Sequence, residues 1–431
     1  MKSNVYTVGL ILVVFFVISF LTNILGALNP GIKDSFDLEF SSLGFMTMAF
    51  FSAYGVMSIP SGLLVEKYKE KIVMLMAFGL ASFGAFAFAL FPVFPVFLGS
   101  LFFIGSGMAM LQVAINPLLR EAGGEGHFAF NSVLGQLFFG LAGVAGPYLF
   151  SFLVSNDGKT GTTSGVASLL SGLVPEAMNW VSIYWIFATI AFVMFVIISM
   201  YRFPAVKLKE DERTGELAIY LALFRNKTVM AYFIGIFCYV GFEQGVSFWM
   251  SQFLETYHGV DPDTTGAAAV GNFWGMLTLG CLLGLVLLKF IDSKKVLMVF
   301  CGLAFLSLTT ALFGPAHIAL VAFPLVGFFA SVMWSIVFSL ALNSMKTHHG
   351  PVAGILCTGI IGGAMAPFLV GGISDLLGLK AGMMFNYITL AYIFGIGVWA
   401  NPSVKNKTLV SRGKEQHNSE KVQLETANTL I

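Results

Sequence analysis

Arg202-Phe203-Pro204-Ala205-Val206-Lys207-Leu208-Lys209-Glu210-Asp211-Glu212-Arg213-Thr214-Gly215-Glu216, continuing to Lys227, is a polar and charged stretch in an otherwise apolar chain. Its position decides the fold. Crossing about 30 Å of hydrocarbon takes roughly 20 apolar residues as a helix. Runs of that length lie near 6–30, 43–64, 72–91, 93–119, 130–154 and 181–200 before the stretch, and near 229–253, 266–290, 295–313, 316–344, 351–374 and 382–400 after it. The pattern predicts an all-α integral membrane protein with twelve transmembrane helices in two pseudo-symmetric six-helix bundles. The expected units are an N-terminal bundle over 1–201, a cytoplasmic linker over 202–228, a C-terminal bundle over 229–400 and a disordered cytoplasmic tail over 401–431.

Composition agrees with that reading. Of the 431 residues 57% are hydrophobic and 10% charged, against about 25% charged in soluble domains, and the mean hydropathy is +0.86. The apolar runs are continuous, whereas a membrane β-barrel alternates apolar and polar residues over about 10 positions. A net charge of +1 argues against a nucleic-acid partner, which needs a basic surface. Cys238, Cys281, Cys301 and Cys357 all fall in apolar runs with no metal-type spacing, so inert core thiols are expected. Lys2 precedes the first run, but no small-residue cleavage site follows it, so this run reads as the first span rather than as a signal peptide.

Basic residues concentrate on the cytoplasmic side of membranes. With both termini inside, only Lys33, Lys159 and Lys380 of the 23 lysines and arginines fall outside. The expected location is a bacterial-type inner (plasma) membrane, crossed repeatedly, with both termini cytoplasmic. The Ser155–Asn179 segment then forms a long outer loop. Span one is read as ending in Leu28-Asn29-Pro30, and span four carries Ile115-Asn116-Pro117 near its end. Such an echo fits halves built from inverted three-helix repeats. A proline also kinks a helix for packing alone.

A charge at membrane depth is costly and usually functional. Glu243, in Tyr239-Val240-Gly241-Phe242-Glu243-Gln244-Gly245, is the clear instance; Lys289, His317 and Asp375 sit at span ends within reach of headgroups or water. The first half instead holds the amides Asn23, Asn29, Gln112, Asn116, Asn131 and Gln136. An amide both donates and accepts hydrogen bonds, which suits hydroxyl groups or a dehydrated cation, although it can equally hold two helices together. Trp249, Trp274, Trp334 and Phe338 could offer a sugar an aromatic face. The chain has no Walker A loop, HExxH or GxSxG motif, so no enzymatic activity is expected and uphill transport would run on an ion gradient.

Gly62-Leu63-Leu64-Val65-Glu66-Lys67-Tyr68-Lys69-Glu70-Lys71 resembles the inner-gate signature of the major facilitator superfamily, with Lys69 where the family has its second glycine. Gly284 to Lys295 is similar to a weaker copy in the second half. Ala114-Ile115-Asn116-Pro117, Phe237-Cys238-Tyr239-Val240-Gly241, Phe338-Ser339-Leu340 and Ile360-Ile361-Gly362-Gly363, followed by Pro367, Gly372, Ser374 and Asp375, resemble the fucose/galactose/glucose symporter branch over about residues 10–400. The branch's proton-coupled fucose member has an aspartate at Asn29 and a glutamate at Gln112, so each acid is replaced here by its own amide.

The resemblance implies alternating-access import of a monosaccharide or amino sugar. The amides lead us to expect Na⁺ rather than a proton as the coupling ion, and no other cofactor. The expected substrate site joins Asn29, Gln112, Asn116, Asn131 and Gln136 to Glu243, Gln244 and Trp334. Asn29, Gln112 and Glu243 would couple the ion, and Glu66, Lys67 and Lys71 would form the inner gate. The expected partners are the sugar and the lipid bilayer, for a monomer. The alternatives are an uncoupled facilitator, a proton symporter using Glu243, and, less favoured by the amides, an amphiphile efflux carrier.

Overall fold

The structure is a computed structural model that describes residues 5–123, 128–155, 170, 172–175, 178–203, 217–345 and 349–402. Most of the predicted outer loop, residues 204–216 of the linker and the tail from 403 onward lie outside the described residues. In hydrocarbon every backbone N–H and C=O must be bonded within the chain, so the continuous apolar runs fold as helices. Among the described residues eleven helices are long and apolar enough to cross a membrane. One of them, Phe40–Leu90, has 51 residues, or about 77 Å at 1.5 Å per residue, more than twice the hydrocarbon thickness. Its helix breaks at Lys69, which has φ 70° and ψ 161°, so it crosses twice and the crossings number twelve.

We number the crossings α1 Val5–Phe36, α2 40–68, α3 70–90, α4 Phe94–Gly123, α5 Phe128–Ser155, α6 Asn179–Met200, α7 Lys227–His258, α8 Pro262–Phe290, α9 Ser293–Phe313, α10 Ala316–Asn343, α11 Pro351–Leu377 and α12 Leu379–Trp399. An even number of crossings returns the chain to the face where it began. That face is called the terminal face here, and the opposite one the distal face.

Two expected helix ends are corrected. The first span does not stop at Pro30 but continues to Phe36, and α4, expected to end near 119, continues to Gly123. The break in α1 lies earlier, at Asn23-Ile24, where the Ala27 N–H bonds the Ile24 carbonyl three residues back. α10 breaks similarly between Ala330 and Met333, and α11 tightens into a 3₁₀ turn at Gly359–Ile361. In α8, Gly280 and Gly284 form a small-residue pair of the kind that lets helix backbones touch. A Cβ on Gly280 would overlap the Phe328 carbonyl, and one on Gly284 would overlap Val332.

Within the first half α3 packs on α4 and α6, and α1 on α4 and α5; within the second, α10 packs on α8 and α9, and α7 and α9 pack on α12. The two halves repeat one device. Lys71 Nζ, at the start of α3, donates to the carbonyls of Ser199 and Tyr201 at the end of α6, both at 2.8 Å. Lys294 Nζ, at the start of α9, donates to the carbonyls of Val398 and Ala400 at the end of α12. A cation there satisfies carbonyls that the helix itself leaves unpaired and complements its negative end.

Candidate functional site

The halves are sealed together toward the distal face. In α1, Asn29 is fully buried and its Nδ2 donates to the Phe248 carbonyl of α7 at 3.0 Å. One turn before it, a Cβ on Gly26 would overlap the Ser247 carbonyl. Beside them a Cβ on Gly44 of α2 would lie 2.7 Å from Phe368 Cα of α11. The Phe45 and Phe368 rings are 5.1 Å apart, and Phe40 lies 5.8 Å from Trp249. Tyr148 of α5 donates to Asn272 of α8 at 3.2 Å. Toward the terminal face Asn116 and Gln136 of the first half are exposed, and Ser335 and Ser339 of the second line a cavity with Leu288, Lys294, Asn343 and Ala400.

Glu243 lies midway along α7 and is half-buried. One helical turn earlier Tyr239, itself buried, donates its hydroxyl to Glu243 Oε1 at 3.0 Å. The Tyr239 ring lies 6.0 Å from that of Trp334, which follows the break in α10 and stacks on Phe338 at 5.8 Å. Cys281 of α8 is close enough to interact electrostatically with the carboxyl and donates its Sγ to the Ser331 carbonyl at the same break. Two helices, α7 and α10, thus bring a carboxyl, a phenol and a stacked aromatic pair together, with the Cys281 thiol of α8 beside them. The carboxyl can exchange a proton and bond a hydroxyl, and the rings can cover the C–H face of a sugar. Sequence reasoning missed Tyr239 as the partner of Glu243, although its i−4 spacing is a readable signal.

The other expected site residues are dispersed. Gln244, buried, turns toward α11 and α2: a Cβ on Gly363 would be 3.1 Å from its Cγ and 3.0 Å from Phe51 Cγ. Asn29 belongs to the distal seam, and its Oδ1 is buried with no partner among the described residues. Gln112 is half-buried without a side-chain bond among the described residues, and its carbonyl accepts Asn116 Nδ2 at 3.0 Å. Gln136 is exposed. Asn131 sits near the terminal end of α5 with its amide nitrogen against Gly123, away from the middle of the bundle. Among the described residues no hydrogen bond joins Gln112, Asn116 or Gln136 to the Glu243 cluster. Two of the aromatic candidates are also structural here: Trp249 donates to the Pro367 carbonyl at 3.0 Å, and Trp274 is buried against Gly143.

The expected gate residues do not form one latch in this structure. Lys71 is held at the end of α6, as above. Lys67 is exposed, with its ammonium 5.0 Å from the Tyr68 ring. Glu66 is half-buried and interacts with Tyr220 on the short linker helix Leu217–Phe224. The Tyr220 hydroxyl in turn lies 3.3 Å from a Cβ built on Gly354 of α11. Burial, and secondarily the Glu66 charge, push the Tyr220 phenol up to about 12. It therefore stays protonated and able to donate.

Twelve helices with this seam and a mid-bundle carboxyl define a polytopic transporter fold, and residues 11–359 match the Major Facilitator Superfamily. The chain belongs to that family. It is 29% identical over 409 residues to a glucose/galactose transporter of Brucella abortus, covering 93% of this chain and 96% of that one. It is 26% identical over 394 residues to the L-fucose-proton symporter of Escherichia coli, covering 88% and 89%. Among solved structures, the transporter FucP in its outward conformation superposes with a TM-score of 0.66 at 23% identity, covering 91% of this chain and 98% of that one.

Proposed function

We propose that the protein carries a monosaccharide, of the glucose, galactose or fucose type, across a bacterial inner membrane by alternating access between its two six-helix halves. The observation that carries the reading is the pairing of Glu243 and Tyr239 beside the stacked Trp334 and Phe338. The names of the relatives support the substrate class. The lysine and arginine bias supports a cytoplasmic terminal face and an outer distal face. The conformation described above is then open to the cytoplasm, and a single chain is the working unit.

Of the two coupling ions, the proton has more support. It is named for the fucose relatives, and Glu243 is the carboxyl that could carry it at mid-membrane. Sodium, the expectation from the amides, gains nothing from the relatives. One observation favours it as a second reading: Asn29 Oδ1 is a buried carbonyl oxygen with no donor among the described residues, the kind of ligand a dehydrated Na⁺ takes.

Proteoliposome uptake separates these readings. Labelled glucose, galactose, fucose and N-acetylglucosamine are supplied either with an imposed pH gradient in Na⁺-free medium or with a Na⁺ gradient at equal pH. Accumulation under the first condition supports proton coupling. Accumulation only under the second transfers the coupling to Na⁺. Equilibration without accumulation under both leaves an uncoupled facilitator.

A further inference from the structure

The N-terminus of α2 is capped from the other half of the molecule. A helix leaves its first N–H groups without internal partners, and a neighbouring Ser, Thr, Asp or Asn usually supplies the acceptor. Here the preceding residue, Glu39, makes no side-chain capping bond. The Phe40 N–H donates instead to Asp375 Oδ1 and the Ser41 N–H to Asp375 Oδ2, each at 3.0 Å. Asp375 lies at the distal end of α11, 335 residues away in the chain. Both carboxylate oxygens are used, and the negative charge sits at the positive end of the helix dipole.

This cap exists only while the two halves touch at the outer face. α2 belongs to the first half and α11 to the second, so opening the distal seam pulls Asp375 away from Phe40 and Ser41. The N–H groups then turn to water, and the carboxylate loses the dipole it faced. An interaction made in one conformation and lost in the other shifts the balance by its full worth. Glu39 differs in this respect, because it travels with α2 and sees the same helix end in both conformations.

We propose that Asp375 is an outer-gate latch, a positioning residue that holds the carrier in its inward-open state through the N-terminus of α2. The proposal rests on the alternating-access reading. Nothing in it depends on the sugar or the coupling ion.

Double electron–electron resonance on the purified full chain tests it, with spin labels at Val93→Cys and Leu377→Cys. Both positions are exposed at the distal face, one on each half, at 51% and 73%, while the four native thiols lie within helices. A short distance reports the closed outer seam and a longer one the open seam. Losing a side-chain cap changes a helix equilibrium by about fivefold, so Asp375→Ala should raise the long-to-short ratio about fivefold. Asp375→Asn keeps an acceptor but loses the charge, and should raise the ratio about twofold. Glu39→Gln should leave it unchanged.

If neither Asp375 variant raises the long-distance population while both elute as folded protein, the latch is refuted. An equal rise with Glu39→Gln also overturns it, because charge at that helix end would then act without regard to which half carries it. If Asp375→Ala does not fold, the Asp375→Asn arm decides. Should no sample, with or without sugar, show a second distance, alternating access fails together with the latch. A wild type that exchanges but ignores both Asp375 substitutions fails the latch alone.

Discussion

At Gly26 the two halves meet backbone to backbone, and Gly26→Ala turns that proximity into a measurable effect. A methyl there would overlap the Ser247 carbonyl oxygen, with the Ser247 carbonyl carbon at 3.1 Å and Phe248 Cα at 3.3 Å. These are backbone atoms of α7 and cannot rotate aside, so α1 and α7 must separate. Overpacking of this kind costs about 1–3 kcal/mol, and the separation also lengthens the Asn29 bond to the Phe248 carbonyl, one turn along the same contact. Alanine is the better helix former by about 1 kcal/mol, so α1 itself does not suffer. The cost falls on the conformation with the outer seam closed, which amounts to a shift of roughly 5- to 150-fold toward the outward-open one. Sugar binding from outside should be retained in right-side-out vesicles while the maximal uptake rate falls at least about fivefold. Gly9→Ala, in the same helix but with nothing among the described residues within 4 Å of its Cβ, should behave as wild type. Normal uptake by Gly26→Ala would refute the seam's role in the transport cycle.

Glu243→Gln should still exchange sugar across the membrane but no longer concentrate it, and Glu243→Ala should lose binding as well. Equilibrium exchange and gradient-driven uptake, measured on the same vesicles, separate the two losses. Lys69 occupies a backbone region that is nearly reserved for glycine and costs a side chain about 1–3 kcal/mol. After the greater chain entropy of glycine is deducted, Lys69→Gly should stabilise the folded protein by about 1 kcal/mol in reversible denaturation. Lys71→Ala and Lys294→Ala should each cost about 1 kcal/mol and add in the double variant, because the two caps lie in different halves; a double effect well short of the sum would mean that the caps are coupled.

Twelve crossings were legible because hydrocarbon thickness imposes a length on every apolar run, and even the 51-residue helix resolves into two runs at Lys69. Helix breaks were not legible in the same way. Pro30 invited a stop that α1 ignores, whereas the actual interruption falls at Asn23-Ile24, and α10 breaks at Ser331-Val332 without proline or glycine. Glu243 stood out as a carboxyl at depth. The amides did not sort themselves by polarity, because composition does not say which face of a helix a residue occupies. Asn131 and Gln136 are five residues apart, about 140° around the helix, so they cannot share a face; Gln112 and Asn116, four apart, are neighbours. Asp375 looked like a span end near water. Its partners come from the far end of the sequence, beyond any local pattern.

Sugar counterflow reads alternating access itself. Proteoliposomes loaded with unlabelled sugar at high concentration are diluted into a trace of the same sugar carrying a label, for each hexose in turn and with no ion gradient imposed. A carrier that binds the sugar alternately from either side gives a transient overshoot of internal label, expected here for glucose, galactose or fucose and abolished by Trp334→Ala. Wild-type protein that is folded and correctly inserted, yet gives no overshoot with any of these sugars, would rule out their transport by alternating access.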